Sequence, residues 1–243
     1  MRRRIVLSID SSSRGRKAVH WAVRAASTLQ LDLTGLFLED ERILRMASLP
    51  LTKELGLLAG DVRAFETADV ERHLRREARE LEILLKRLTH QYRLSFSFET
   101  VRGDPFQAMH SRRQADDIML LGFSDTRVHS IDWARQKSSG PIAVFLDDDT
   151  HSKQTLAIAE RLARQESRPL LVLHPTALSA DALAKLVGTL QVPIQTQSVS
   201  GIEQLVQRAR LFHADLLVLP DGGRLGDPTY LQLLAGEIPV LLV

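Results

Sequence analysis

The sequence predicts an α/β fold built on parallel sheet, and three observations predict it. Compact apolar runs of strand length alternate with segments whose apolar residues recur at helical spacing. An apolar run ending in Asp and followed by polar helix-capping residues occurs twice, at Asp10 and Asp147, an offset of 147 − 10 = 137. Two Ala-Asp entries into apolar runs, Ala115-Asp116 and Ala214-Asp215, stand 215 − 116 = 99 residues apart. An internal repeat of βαβα units follows, with one unit over residues 1–140 and a second over 141–243.

Each element has its own signal. Ile5 to Ile9 is a short apolar run, as a strand buried on both faces requires. Asp10-Ser11-Ser12-Ser13 breaks it and supplies N-cap side chains. Ala18, Ala22, Ala25, Ala26 and Leu29 then recur as one helical face, and Leu31 to Leu38 is the next strand. The first unit carries 137 − 99 = 38 extra residues, mainly between Asp40 and the helix starting near Ala68. This insertion, residues 40–67, includes Ile43, Leu44, Met46, Leu49, Leu51, Leu55, Leu57 and Leu58, and is too apolar to be a solvated loop. Short helices covering the core are expected there, with a lid or partner-binding surface over 43–58 as the functional alternative.

Val70, Leu74, Ala78, Leu81, Leu84, Leu85 and Leu88 form an apolar helical stripe opposite a solvated Arg/Glu face. Leu94, Phe96 and Phe98 alternate with polar residues, the mark of an edge strand, whereas Ile118 to Leu121 and Leu216 to Leu219 are apolar throughout and belong at the centre. In the second unit Ala157, Ala159 and Ala163 repeat the helix, and Leu170 to Leu173 the strand after it. Nine strand candidates result, near 5–9, 32–38, 94–101, 117–122, 142–146, 169–173, 193–199, 215–219 and 239–243.

Composition narrows the function. The chain is 44% hydrophobic and 26% charged, which excludes a disordered chain. Lys plus Arg is 32 and Asp plus Glu is 30, so a net charge of +2 carries no sequence-wide footprint for nucleic acid. The absence of cysteine excludes disulfides, zinc-thiolate sites, thiol nucleophiles and iron–sulfur clusters. After Met1-Arg2-Arg3-Arg4 the apolar run is too short for a signal peptide, and no stretch approaches the ~18 apolar residues of a membrane span. A cytoplasmic protein without nucleic-acid or membrane partners is expected.

The strand-Asp openings at Asp10 and Asp147, the Ala-rich first helices, the Ala-Asp entries and the closing Gly236-Glu237-Ile238-Pro239-Val240-Leu241-Leu242-Val243 together resemble the universal stress protein family, here as a tandem pair. The likeness spans nearly the whole chain apart from the insertion. It implies two doubly wound, Rossmann-like parallel sheets of strand order 3-2-1-4-5, with a switch-point crevice between strands one and four of each. Asp10 then lies beside Gly122-Phe123-Ser124-Asp125, and Asp147 beside Pro220-Asp221-Gly222-Gly223. In ATP-binding members of the family the Asp contacts adenosine, and Gly-x-x-Gly, nine residues, then Gly-Ser/Thr holds the ribose and phosphates. The resemblance therefore implies a site of Asp10, Gly122 and Ser124 in the first half, and of Asp147, Asp221, Gly222 and Gly223 in the second.

Both halves depart from that motif. Asp125 stands at the second glycine position of the first half, and no Gly-Ser follows; Pro220 stands at the first glycine position of the second. Only 15 residues separate Asp125 from Pro141, and again 15 separate Gly223 from Pro239. The alternative register through Gly223, Gly226 and Gly236 ends in Glu237, too close to Pro239 for its amide to reach the crevice. A phosphate cradle needs converging N–H groups, and carboxylates oppose it. ATP or AMP binding, weak or lost, is the expectation that remains.

Ten strands are required and nine are found. Residues 142–146 are approached like a fifth strand and left like a first. One strand has two hydrogen-bonding edges, so the fourth strand of the first half would be left bare. The expected cover is Val240 to Val243, a helix or a second chain, in a homodimer or an intramolecular pseudo-dimer.

Other chemistry is thinner. Gly122-Phe123-Ser124-Asp125 is half of a nucleophile elbow, with Thr126 where the second glycine belongs, so a hydrolase at Ser124 is a remote alternative. The eight histidines lack metal-ligand spacing; His151 and His174 fall near the second crevice. The Asp147-Asp148-Asp149 triplet reads as helix capping rather than a metal site. The function expected is a non-catalytic stress-response or signalling module, and the alternative is a protein-interaction scaffold with vestigial pockets.

Overall fold

The computed structural model describes residues 3–10, 13–41, 44–45, 53–55, 62–64, 67–103, 105–122, 140–146, 151–221 and 238–243. The first half runs β1 (Arg4–Ile9), α1 (Ser13–Leu29), β2 (Asp32–Asp40), the short strands β3 (Lys53–Leu55) and β4 (Val62–Ala64), α2 (Thr67–Tyr92), β5 (Phe96–Gly103), α3 (Pro105–Arg112) and β6 (Ile118–Gly122). The second runs β7 (Ile142–Phe145), α4 (His151–Gln165), β8 (Leu170–Pro175), α5 (Ala180–Val187), β9 (Ile194–Val199), α6 (Ile202–Leu211), β10 (Leu216–Leu219) and β11 (Val240–Leu242).

The nine expected strands form one sheet of order β5-β2-β1-β6-β11-β10-β7-β8-β9. Alternating side chains bury both faces. Ile5, Leu7 and Ile9 pack under the alanine face of α1, where Ala18, Ala22, Ala25 and Ala26 let the helix lie close. The stripe Val70, Leu74, Ala78, Leu81 and Leu85 brings α2 onto the same layer. Val6, Leu36, Met119 and Leu121 face the other way, among Ala108 and Met109 of α3 and the core that α6 closes with Leu205 and Ala209. The sheet thus lies between two helical layers.

The first half does not own a fifth strand. β11 runs antiparallel to β6, pairing Val240 with Leu121, Leu241 with Leu120 and Leu242 with Met119. Its other edge runs parallel to β10, from Leu217 opposite Val240 to Leu219 opposite Leu242. The C-terminal strand therefore covers the edge that would have been bare, and the order 3-2-1-4-5 is completed in both halves by the same strand. The cause is the one expected: β7 has both edges occupied, by β10 and β8, and none left for the first half.

Two helices cross this junction. Arg24 of α1 and Arg161 of α4 stand 161 − 24 = 137 residues apart, the offset of the repeat. Arg24 Nη1 lies 2.7 Å from Glu166 Oε2, and Arg161 Nη2 donates to the Thr28 carbonyl at 2.7 Å. Each arginine reaches the far end of the opposite helix.

The repeat register also shifts by one. Ile5 pairs with Ile118 and Ile142 with Leu216, so the second landmark has an offset of 216 − 118 = 98 and the first half carries 137 − 98 = 39 extra residues. Asp215 corresponds to Asp117, not to exposed Asp116. Burial explains why: Asp117 and Asp215 are 5% and 6% exposed, and buried carboxylates need partners. Asp117 accepts from Arg4 Nε at 3.2 Å and from the Gln114 amide at 2.9 Å. Asp215 accepts from the Gly140 amide at 2.9 Å and from Arg168 at 3.2 Å.

The insertion differs from expectation. Glu41, Leu44 and Arg45 are helical, but β3 and β4 form an antiparallel ribbon. Its register places Glu54 opposite Arg63 and Leu55 opposite Val62, cross-strand pairings that a count of leucines conceals. Met46, Leu49, Leu51, Leu57 and Leu58 lie outside the described residues.

Leu241 is fully buried in the shared strand. Leu241→Ala is expected to lower the free energy of urea unfolding by about 2–5 kcal/mol. Tryptophan fluorescence and far-UV circular dichroism should still report a single shared transition.

Candidate functional site

β1 and β6 are neighbours, and Ile9 pairs with Gly122 at their carboxyl ends. Asp10 therefore emerges beside the end of β6, as expected of the first crevice. The helix that follows is drawn tightly onto these strand ends. A Cβ placed on Gly122 would meet Ala18 Cβ at 2.1 Å, and one on Gly15 would meet the Asp10 carbonyl at 2.7 Å. Side chains are excluded from both positions by contact, so the first two turns of α1 occupy the floor of the crevice. Ser124 lies outside the described residues, together with Phe123, Asp125 and the remainder of the elbow-like turn.

On the face of the sheet opposite α1, Ser8 is fully buried, and its Oγ has no hydrogen-bond partner among the described residues. It stands between Leu36 of β2 and Leu121 of β6. An orphaned buried hydroxyl costs about 1–3 kcal/mol, and Phe145 takes the corresponding place in the second half at the offset of 137. Reading the sequence missed Ser8, because one serine inside an apolar run is ordinary; only the comparison with Phe145 marks it.

The second crevice is built differently. β7 and β10 are neighbours, and Asp221 follows β10 with its amide donating to the Val243 carbonyl at 2.8 Å. The Asp221 carboxylate pairs with Arg113, which comes from the turn before β6 in the other half. A cavity of about 330 Å³ lies here, lined by Arg3, Asp116, Asp117, Gln154, Asp221 and Val243. The antiparallel junction makes it: the amino ends of β1 and β6 stand against the carboxyl ends of β10 and β11. The lining sets Arg3 against Asp116, Asp117 and Asp221, and Arg4 and Arg113 beside it offset that excess of negative charge. Arg4 lies 3.2 Å from Asp117, Arg113 is spent on Asp221, and Arg3 Nε donates to the Asp116 carbonyl at 3.1 Å. Arg3 and Arg113 were not candidates, since no motif surrounds them and the junction alone brings them to Asp221.

Asp147, Gly222 and Gly223 lie outside the described residues, as do Asp148 and Asp149. Of the expected site, the structure thus places Asp10 and Gly122 at one switch point and Asp221 at the other. His174 is the penultimate residue of β8, with its Nδ1 3.1 Å from the Pro175 carbonyl. Among the described residues no three His, Asp or Glu side chains gather as metal ligands, and no helix is long and apolar enough to cross a membrane.

No protein-family model matches the chain, and no curated protein matches it in sequence. Solved structures do. A universal stress protein from Archaeoglobus fulgidus DSM 4304 is similar at a TM-score of 0.54 and 11% identity, over 98% of this chain and 95% of that one. A functionally unknown protein from Pseudomonas aeruginosa PAO1 aligns at 0.43 and 14%, over 99% and 92%. A protein from the universal stress protein family of Burkholderia pseudomallei aligns at 0.28 and 12%, over 79% and 94%. The first of these shows the fold: the chain has the α/β, Rossmann-like architecture of universal stress proteins.

Two predictions follow from the charges. Arg113 and Asp221 are only 20% and 25% exposed, so their pairing should exceed that of a surface pair. A double-mutant cycle of Arg113→Ala and Asp221→Ala is expected to return a coupling of about 1–3 kcal/mol, and additivity would show the pair to be idle. On α1, partial burial and the guanidinium groups of Arg24 and Arg87 hold the His20 pKa below its ordinary 6.5. The unfolded chain then takes up the His20 proton at higher pH than the folded one, so stability falls as pH drops below about 6.5. His20→Gln should flatten that part of a Tm-against-pH curve, and an unchanged slope would assign it elsewhere.

Proposed function

We propose that this chain is a non-catalytic stress-response or signalling module whose adenine-nucleotide binding is weak or lost. The observation that carries the reading is the packing at the first switch point. There Gly15, Ala18 and Gly122 bring helix and strands into direct contact beside Asp10. Little room is left among these elements for a ligand, and Asp10 is the carboxylate that stands beside them among the described residues. At the second switch point, Asp221 sets a negative charge where a phosphate would approach, and Arg113 is already committed to it. The fold shared with the Archaeoglobus protein supports the class of module. In any nucleotide complex Asp10 would contact adenosine while Gly122 and Ser124 line the turn, with Asp147, Asp221, Gly222 and Gly223 in the corresponding places of the second half.

A second reading, a protein-interaction scaffold with vestigial pockets, is favoured by the exposed and uncharged outer strand β9. Thermal-shift titration separates the two. A nucleotide at its dissociation constant adds RT ln 2, about 0.4 kcal/mol. For a chain of this size that moves Tm by about 1–2 °C. AMP, ADP and ATP at millimolar concentration are expected to give shifts of that order, which Asp10→Ala abolishes. No shift with any of them favours the scaffold, and a Tm rise beyond about 5 °C with ATP contradicts both readings. Ester turnover lost on Ser124→Ala would overturn the non-catalytic assignment.

A further inference from the structure

The sheet ends in two outer strands that are protected very differently. On β5, Glu99 accepts from Arg112 at 2.8 and 3.0 Å, and Arg102 donates to Glu39 at 3.0 Å. The hydrogen bonds from Arg112 hold the Glu99 carboxyl below its ordinary range, so this edge stays charged. The 26 residues of α2 lie over the same strand. Charge and cover are the usual guards of a sheet edge. β9 has neither. Ile194-Gln195-Thr196-Gln197-Ser198-Val199 contains no charged residue and no proline. Only Val199 is buried, and Ile194 is 37% exposed. The flanking α5 has 8 residues, none of them buried. No strand lies beyond β9 among the described residues.

We propose that the outer edge of β9 is a self-association surface, and that its occupant is the β9 strand of a second copy of this chain, antiparallel about a two-fold axis through Thr196. The central triplet Gln195-Thr196-Gln197 is palindromic about that residue. In this register Thr196 faces the partner's Thr196, Gln195 faces the partner's Gln197, and Ile194 faces the partner's Ser198. Threonine pairs and glutamine pairs across strands are favourable, and no like charges meet. An isologous contact needs this self-complementarity. The parallel partner β8 fixes the faces: Thr196 shares a face with Val172, and Gln195 and Gln197 share one with Leu171 and Leu173. The chain already adds an antiparallel strand to a parallel block once, where β11 meets β6. The inference is independent of the nucleotide reading.

Sedimentation velocity on the full chain tests it. The wild type is expected to sediment as a dimer at micromolar concentration. Thr196→Lys and Thr196→Glu alone should each sediment as monomers with unchanged far-UV circular dichroism, and an equal mixture of the two should restore the dimer. Because the chain has no cysteine, Thr196→Cys adds a single thiol at the axis. Mild oxidation should link it into a covalent dimer, and should not link Gln204→Cys on α6. A monomeric wild type, including one that binds only an extended peptide there, overturns the proposal. So does a Thr196→Lys variant that dimerises as well as the wild type, or a Thr196→Cys variant that stays unlinked.

Discussion

The backbone ladder between β6 and β11 is the contact on which the rest of the architecture depends. Without β11, β6 and β10 would each present a row of unpaired amide and carbonyl groups at the centre of the molecule. Such groups are costly away from water. β11 satisfies both rows because Leu241 and its neighbours are apolar on either face and buried on both. The direction of pairing matters as much as its presence. Antiparallel on one side and parallel on the other, β11 reverses the second block of strands against the first. The foot of one half is thereby set beside the mouth of the other.

That reversal accounts for the unlike chemistry of the two crevices. At the second mouth, residues from the foot of the first half supply Arg113 and Arg3, and the acidic turn at Asp221 becomes part of a clasp between halves. At the first mouth, small residues replace charge: glycine and alanine let α1 settle directly on the strand ends. The same α1 reaches over the second half, where Lys17 Nζ lies 3.9 Å from Asp215 and Arg24 meets Glu166. Residues at both mouths therefore also hold the halves together.

Much of this was legible in the sequence because burial imposes simple patterns. The inner strands of the main sheet coincide with apolar runs, and the 137-residue offset survives as real correspondence in Arg24 and Arg161. Three things were not legible. Asp116 and Asp117 are adjacent and chemically identical, so only burial decides that Asp117 is the counterpart of Asp215. The ribbon of β3 and β4 rests on cross-strand neighbours, which a helical count of leucines does not see. The approach of Arg113 to Asp221 spans more than a hundred residues and depends wholly on strand direction. Asp10 and Gly122 were legible as a pair because strand neighbours and the switch-point rule place them together; Ser8 was not, because its significance lies in a missing partner.

Native-state hydrogen exchange tests the central claim most directly. If β11 is the shared strand, the amides of Leu120, Leu121 and Leu241 belong to the slowest class and exchange only through global unfolding, at one common free energy. Exchange at Leu241 many orders of magnitude faster than at Leu7 and Val172 would contradict the account, because it would mean that the two halves stand as separate sheets with a frayed strand between them.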